Sequence, residues 1–168
     1  MAEIKKILVA IGVTQFSQDT FEYGAKLAQA LNADITIVSI INSRDVEAVG
    51  SVVSLGYEVD GEHYVQSVKA ERKENIKKII EDSAFPEKRV EIVLKVGNPI
   101  DEILDIIIDR EIDMVVMGPK GRTNLEHILI GSLAEKIFRR SPAVVVSYRN
   151  EEQAESLKKR IRRRRRNS

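Results

Sequence analysis

The chain has no cysteine, no tryptophan and only two histidines in 168 residues. Without cysteine, thiol catalysis, cysteine-ligated zinc and disulfide staples are excluded. No apolar run approaches the roughly 20 residues needed to cross a bilayer. The opening residues carry neither the apolar core nor the small-residue cleavage pattern of a signal peptide, so a soluble, cytoplasmic chain is expected. Two phosphate and hydrolase signatures are also missing. There is no Gly-x4-Gly-Lys-Ser/Thr loop and no Gly-x-Ser-x-Gly elbow. Neither charge sign dominates, with 27 basic residues against 26 acidic ones.

What is present is an ordinary globular mixture, 43% hydrophobic and 32% charged. A chain of this length suits one domain and buries roughly 70% of its extended surface on folding. The near-neutral total hides a segregation. From Glu151 onward eight basic residues (Lys158, Lys159, Arg160 and Arg162 to Arg166) face three acidic ones, a net of +5. The first 150 residues are therefore at −4. We expect a domain over residues 1–149 and a basic, disordered tail over 150–168, because adjacent arginines repel and so short an isolated helix is marginal. Leu157 and Ile161 stand four apart, the one helical signal there.

Short β-branched runs alternate with helical patterns along the body. Strands are predicted over 6–11, 34–41, 89–96, 114–117 and 143–148. Helices are predicted over 17–31, 64–83, 99–110 and 133–140. Ser17 is the expected N-cap of the first helix and Asn32 its left-handed exit. Asn98 caps, with Pro99 in the first turn, at the third. Residues 42–63 read as a long connection with one helical turn near 45–49. Strands apolar throughout, alternating with helices, indicate an α/β fold: a parallel sheet covered on both faces.

In such a sheet ligands bind beyond the carboxyl ends of the strands. Gly12-Val13-Thr14 follows the first strand. Gly118-Pro119-Lys120-Gly121 follows the fourth, and nine residues later Gly131-Ser132 opens a helix. Glycines let successive N–H groups converge, and the unpaired N–H groups of Ser132, Leu133 and Ala134 face the same way. Two loops offering donors to one point form a phosphate cradle. Lys120 and Arg122 lie on the glycine loop. His63, in the long connection beside Asp60 and Glu62, and His127, after Glu126, read as surface residues. No carboxylate stands near Gly118 to hold a metal or position water, so neither a metal site nor a catalytic set is assigned.

At these residues the chain resembles the universal stress protein family. The likeness rests on Ile7-Leu8-Val9-Ala10, Gly97-x-Pro99, Asp113-Met-Val-Val-Met-Gly118, Gly118-x2-Gly121-x9-Gly131-Ser132 and Ser141-Pro142-Ala-Val-Val-Val146. It implies a five-stranded parallel sheet of order 3-2-1-4-5 with helices on both faces, of the adenine-nucleotide α-hydrolase-like type. It also implies a homodimer through the last strand, from Ala143 to Tyr148, and ATP as ligand. Gly118, Gly121, Gly131 and Ser132 would then hold ribose and phosphates, with Met117, Arg122, Leu133 and Ala134 beside them. Ile40 would pack on the adenine, with Ala10 and Ile11 on its other side. Magnesium or manganese would arrive through the phosphates, and turnover would be slow at most.

The resemblance fails at Gly12, where ATP-binding relatives usually carry Asp against the nucleoside. Losing a charge-assisted hydrogen bond costs ~1.5–3 kcal/mol, one to two decades of affinity. Thr14 and Gln15 stand nearest to substitute. Two readings stay open: a nucleotide-binding stress-response or signalling module, and an interaction protein of the same fold that has lost the nucleotide. In the second, the tail from Lys158 to Arg166 contacts polyanions. No aromatic residue lies in that tail, which argues against sequence-specific single-strand recognition.

Overall fold

Five runs rich in valine and isoleucine pair, all parallel, into one sheet. The computed structural model describes residues 3–12, 14–53, 61–119 and 131–166. In chain order they form β1 (Lys6–Ala10), α1 (Ser17–Leu31), β2 (Asp34–Asn42), α2 (Ser43–Val53) and α3 (Gly61–Glu81). A 3-10 turn (Glu87–Arg89) leads into β3 (Val90–Gly97), followed by α4 (Pro99–Asp109), β4 (Met114–Met117), α5 (Ser132–Arg140), β5 (Val144–Ser147) and α6 (Glu151–Arg166). The strand order is β3-β2-β1-β4-β5. Register places Val9 between Ile37 and Val116, and Val115 opposite Val145. β1 lies at the centre, and Ile7, Leu8 and Val9 are fully buried.

Alternation along β1 sends its side chains to two separate cores. Ile7, Val9 and Ile11 pack with Phe21 and Ala28 of α1 and with Ile76 and Ile80 of α3. Leu8 packs with Val38, with Ile103, Ile106 and Ile107 of α4, and with Ile137 of α5. Each fully buried aliphatic or aromatic side chain contributes about 1.5–3 kcal/mol. Two helices on each face are the reason both faces of these strands are apolar.

Several local signals act as read. Asn32 is left-handed, with φ 51°. The Asn98 side chain accepts from the Ile100 amide at 3.0 Å, with Pro99 at the first helical position. Ser17, however, is not the N-cap of α1. Phe16 holds that place without a side-chain bond, and Ser17 is the first helical residue. Its hydroxyl donates backwards to the Gly12 carbonyl, and its amide donates to the Thr14 carbonyl at 3.1 Å. A tight turn after β1 therefore takes the serine that would have capped.

The region read as a long connection is more helical than expected. The Asn42 side chain accepts from the Arg44 amide at 3.1 Å, which starts α2, and Asp45 in its first turn favours the positive end of the helix dipole. Since α3 begins at Gly61, His63 sits exposed in its first turn and not in a loop.

The tail differs most. Residues Glu151–Arg166 form a helix, where disorder was expected. Its start is a reciprocal capping box: the Asn150 side chain accepts from the Gln153 amide at 3.0 Å, and the Gln153 side chain accepts from the Asn150 amide at 3.3 Å. Glu151 and Glu152 lie in the first turn and arginines in the last, each sign at the end the dipole favours. Lys158 bridges Glu155 at 2.6 Å, which with the neighbouring cations holds the Glu155 carboxyl below its usual range.

Candidate functional site at the carboxyl ends of β1 and β4

β1 and β4 end side by side, Ala10 in register with Met117. The chain leaves β1 through Ile11, whose amide continues the ladder to the Val38 carbonyl at 3.0 Å, and reaches Gly12. It leaves β4 through Gly118 and Pro119. The Gly131 amide donates to the Pro119 carbonyl at 2.7 Å, which ties the loop after β4 to the start of α5. Gly131 is the N-cap of α5, in an extended conformation with φ −70° and ψ 152°, and brings no side chain to the end of the helix. Its carbonyl accepts the first helical bond, from the Glu135 amide at 3.0 Å. The ladder thus leaves the amides of Ser132, Leu133 and Ala134 without helical partners at the positive end of the dipole. Such an end, beside a glycine-lined loop, favours an anionic oxygen.

Among the described residues, two hollows at this edge share Ile11, Gly12, Thr14 and Ser17. The smaller, about 40 Å³, runs from Gly12 across to Gly118 and Pro119 and is closed by Asp19, Tyr148 and Asn150. It has room for water but not for a base. The larger, about 300 Å³, opens between the start of α1 and α3. Thr14, Gln15, Ser39, Arg72 and Asn75 line it with Gly12. This volume is at the lower end for a small-molecule cleft. Among the described residues a β-carbon added to Gly12 would meet Thr14 Cγ2, at 3.7 Å, an ordinary van der Waals contact.

The polar walls include residues that the sequence did not single out. Arg72, on the buried face of α3, donates from Nη1 to the Ile40 carbonyl at 2.8 Å and to Ser39 Oγ at 3.1 Å. It fixes a guanidinium in the larger cleft, and its place on the helix's apolar stripe was the available signal. Asp19 accepts from Asn150 Nδ2 at 2.9 Å. Tyr148 donates its amide to the Met117 carbonyl at 2.9 Å and stacks on Tyr23, with ring centroids 4.4 Å apart. Burial, and then the charge of Asp19, push the Tyr148 phenol above its ordinary value, so it stays protonated. The root of the tail is thus part of the wall, and the Asn150-x-x-Gln153 box was its mark in the sequence.

The structure brings Ala10, Ile11, Gly12 and Gly118 together around the smaller hollow. Met117 is buried at the end of β4, and Gly131, Ser132, Leu133 and Ala134 form the start of α5. Ala10, Ile40 and Leu133 pack against the α4–α5 core, whereas Ile11 belongs to the α1–α3 core. Ala10 and Ile11 line the smaller hollow together, and Ile40 lines neither hollow. Thr14 and Gln15 stand in the wall of the larger cleft beside Gly12. Gly121, Arg122, Lys120 and His127 lie outside the described residues. Among the described residues no cluster of three histidine or carboxylate side chains is placed to hold a metal, and no helix is long and apolar enough to cross a membrane.

Known proteins share this fold. Universal stress protein MJ0577 of Methanocaldococcus jannaschii is 42% identical over 79 residues, 46% of this chain and 47% of that one. Universal stress protein YxiE of Bacillus subtilis is 28% identical over 86% of this chain and 98% of its own. The solved structure of MJ0577 superposes with a TM-score of 0.66 at 27% identity, covering 89% of this chain and all of that one. A universal stress protein in complex with cAMP superposes at 0.56 with 18% identity, over 88% of this chain and 98% of that one. One from Archaeoglobus fulgidus in complex with dAMP superposes at 0.57 with 16% identity, over 88% of this chain and all of that one. At those identities the last two bear on fold alone. The sheet order and a family model matched over residues 3–149 agree, and the chain belongs to the universal stress protein family.

Proposed function

We propose that this chain binds a nucleotide, ATP foremost, at the edge between β1 and β4, and acts in stress response or signalling through that occupancy and through dimerisation. The observation that carries the reading is the 2.7 Å bond from the Gly131 amide to Pro119, which sets the loop after β4 against the open end of α5. The phosphates would sit on the amides of Ser132, Leu133 and Ala134, with Gly118, Gly121 and Arg122 completing the cradle. The nucleoside would take the larger cleft beside Gly12. Two family members solved with cAMP and dAMP support an adenine nucleotide as the ligand class. Magnesium or manganese would be held through the phosphates. Turnover would be slow at most, and the cytoplasm is the expected location. The homodimer would form along β5, one of the two edge strands of the sheet, near the exposed side chains of Val144 and Phe138.

Titrating dialysed protein with ATP by calorimetry tests this. Saturable one-to-one binding is expected. No heat up to about 1 mM ATP, where binding would be worth no more than about 4 kcal/mol, would overturn the reading.

A second reading is favoured by Gly12 and by the exposed cations of α6. In it, the chain is an interaction protein whose tail contacts polyanions, with or without nucleotide.

A further inference from the structure

The C-terminal half of α6 is the most concentrated charge on the molecule. From Lys158 to Arg166 eight of nine residues are cationic, Ile161 is the exception, and all nine are exposed. No acidic residue interrupts them. At 1.5 Å per residue they span about 13 Å of helix. At about 100° per residue the eight cations point to every side of the axis, so no single apolar or acidic face is left.

That distribution discriminates among polyanions. A membrane-surface helix needs a broad apolar face, and Ile161 with the half-buried Leu157 one turn before it does not make one. Single-stranded nucleic acid is held by stacking on aromatic rings, and α6 contains none. The major groove of duplex RNA is too deep and narrow for side chains to read. The acidic body of a second copy carries only −4 spread over 150 residues. B-form DNA places one charge per about 1.7 Å of its axis and opens a major groove about 12 Å wide, matching a helix of 10–12 Å with its side chains. A helix cationic on all sides would meet phosphates on both walls of that groove.

The helix is also fixed where it leaves the body. The Asn150–Gln153 capping box starts it, Asn150 bonds Asp19 at 2.9 Å, and Leu157 is half-buried. Part of the ordering cost of a basic segment is thereby met before any partner arrives.

We propose that residues 158–166 of α6 bind duplex DNA in its major groove, largely without regard to sequence. The proposal rests on the polyanion reading of the tail and is independent of the nucleotide site.

The test uses the full chain and fluorescence anisotropy with labelled duplex DNA of about 20 base pairs, in two unrelated sequences, across about 50 to 300 mM KCl. Parallel arms use a single strand, an RNA duplex, heparin and phosphatidylserine-containing vesicles. The expected result is similar affinity for both DNA sequences and a log–log salt slope between about −4 and −7. The single strand, RNA and vesicles should each bind at least about tenfold more weakly. Replacing Arg163, Arg164, Arg165 and Arg166 together by Gln should weaken DNA binding at least about a hundredfold and flatten the slope by about 3–4. Replacing the same four by Lys should retain the slope, which separates lost charge from a lost helix. If heparin binds but duplex DNA does not, or if RNA, single strand or vesicles equal the DNA duplex, the groove assignment is overturned while the polyanion reading survives. If neither heparin nor DNA binds at the lowest salt, both fall. An unchanged slope in the Gln variant would place the contact elsewhere and overturn the proposal.

Discussion

At the scale of single residues, Gly12 and Gly131 mark the two ends of the proposed ligand. Among the described residues a β-carbon at Gly12 would meet nothing closer than Thr14 Cγ2 at 3.7 Å, a contact without strain. Gly12→Asp should therefore fold normally and place a carboxylate beside the proposed nucleoside cleft. We predict about tenfold tighter ATP binding by calorimetry, the lower part of the range for one charge-assisted hydrogen bond; no gain in a folded variant would make that carboxylate irrelevant. Gly131, at φ −70° and ψ 152°, occupies backbone space open to any residue. Gly131→Val should leave the circular dichroism spectrum and unfolding midpoint intact while a branched side chain fills the cradle. Loss of measurable ATP binding is expected, and wild-type affinity would put the phosphates elsewhere.

Tyr148 gives a pH dependence of known sign. Its phenol is raised above the ordinary value of 10.0, chiefly by burial. The unfolded chain therefore releases this proton first as pH climbs. The stability linked to Tyr148 is whole below pH 10 and lost as pH rises toward the raised value. In Tyr148→Phe that loss should vanish, seen as a flatter plot of urea midpoint against pH above about 9.5; an identical plot would assign the alkaline loss to other groups.

At the scale of elements, α1 lies hard against β1. A β-carbon at Gly24 would come within 2.7 Å of Val9 Cγ2, and Val9 is fully buried between two other strands. Helix propensity favours alanine by about 1 kcal/mol. Overpacking a site that cannot yield costs about 1–3 kcal/mol. The second effect should win, so Gly24→Ala is predicted to lower stability by about 1 kcal/mol in urea unfolding. A stabilised variant would show that α1 shifts freely over the sheet.

The elements that could be read from sequence are those whose own residues determine them. β-branched runs, the Asn98-Pro99 start and the Asn32 exit need no distant partner, and each formed as expected. The strand order came from resemblance and not from periodicity. What escaped reading depends on contacts remote in sequence. Ser17 turns back to Gly12, Arg72 reaches across to β2, and Asn150 finds Asp19 some 131 positions away. In the site, the glycines were legible because loops need them, whereas the polar residues around them were not, because only tertiary packing makes a surface serine or an arginine a wall. The α6 helix does not follow from its arginines, which repel one another; the Asn150–Gln153 capping box starts it.

At the scale of the whole molecule, the proposed dimer can be broken at one backbone position. The amides of Val144 and Tyr148 bond inward, to Asp113 and Met117. Strand alternation therefore turns the Val145 amide toward the free edge. Val145→Pro removes that outward donor and spares the inward ones. If two copies pair along β5, this variant should run as a monomer by light scattering where the unaltered chain runs as a dimer. A dimer that persists would relocate the interface.

The helical tail also changes what the near-zero net charge means. Cations gathered on a short rod, set against a body that is negative in sum, give the molecule two electrically unlike ends. At neutral pH it would be retained on a cation-exchange resin by that rod, although its net charge is only +1. Neutral titration numbers would then conceal a protein that turns to face charged surfaces before it touches them.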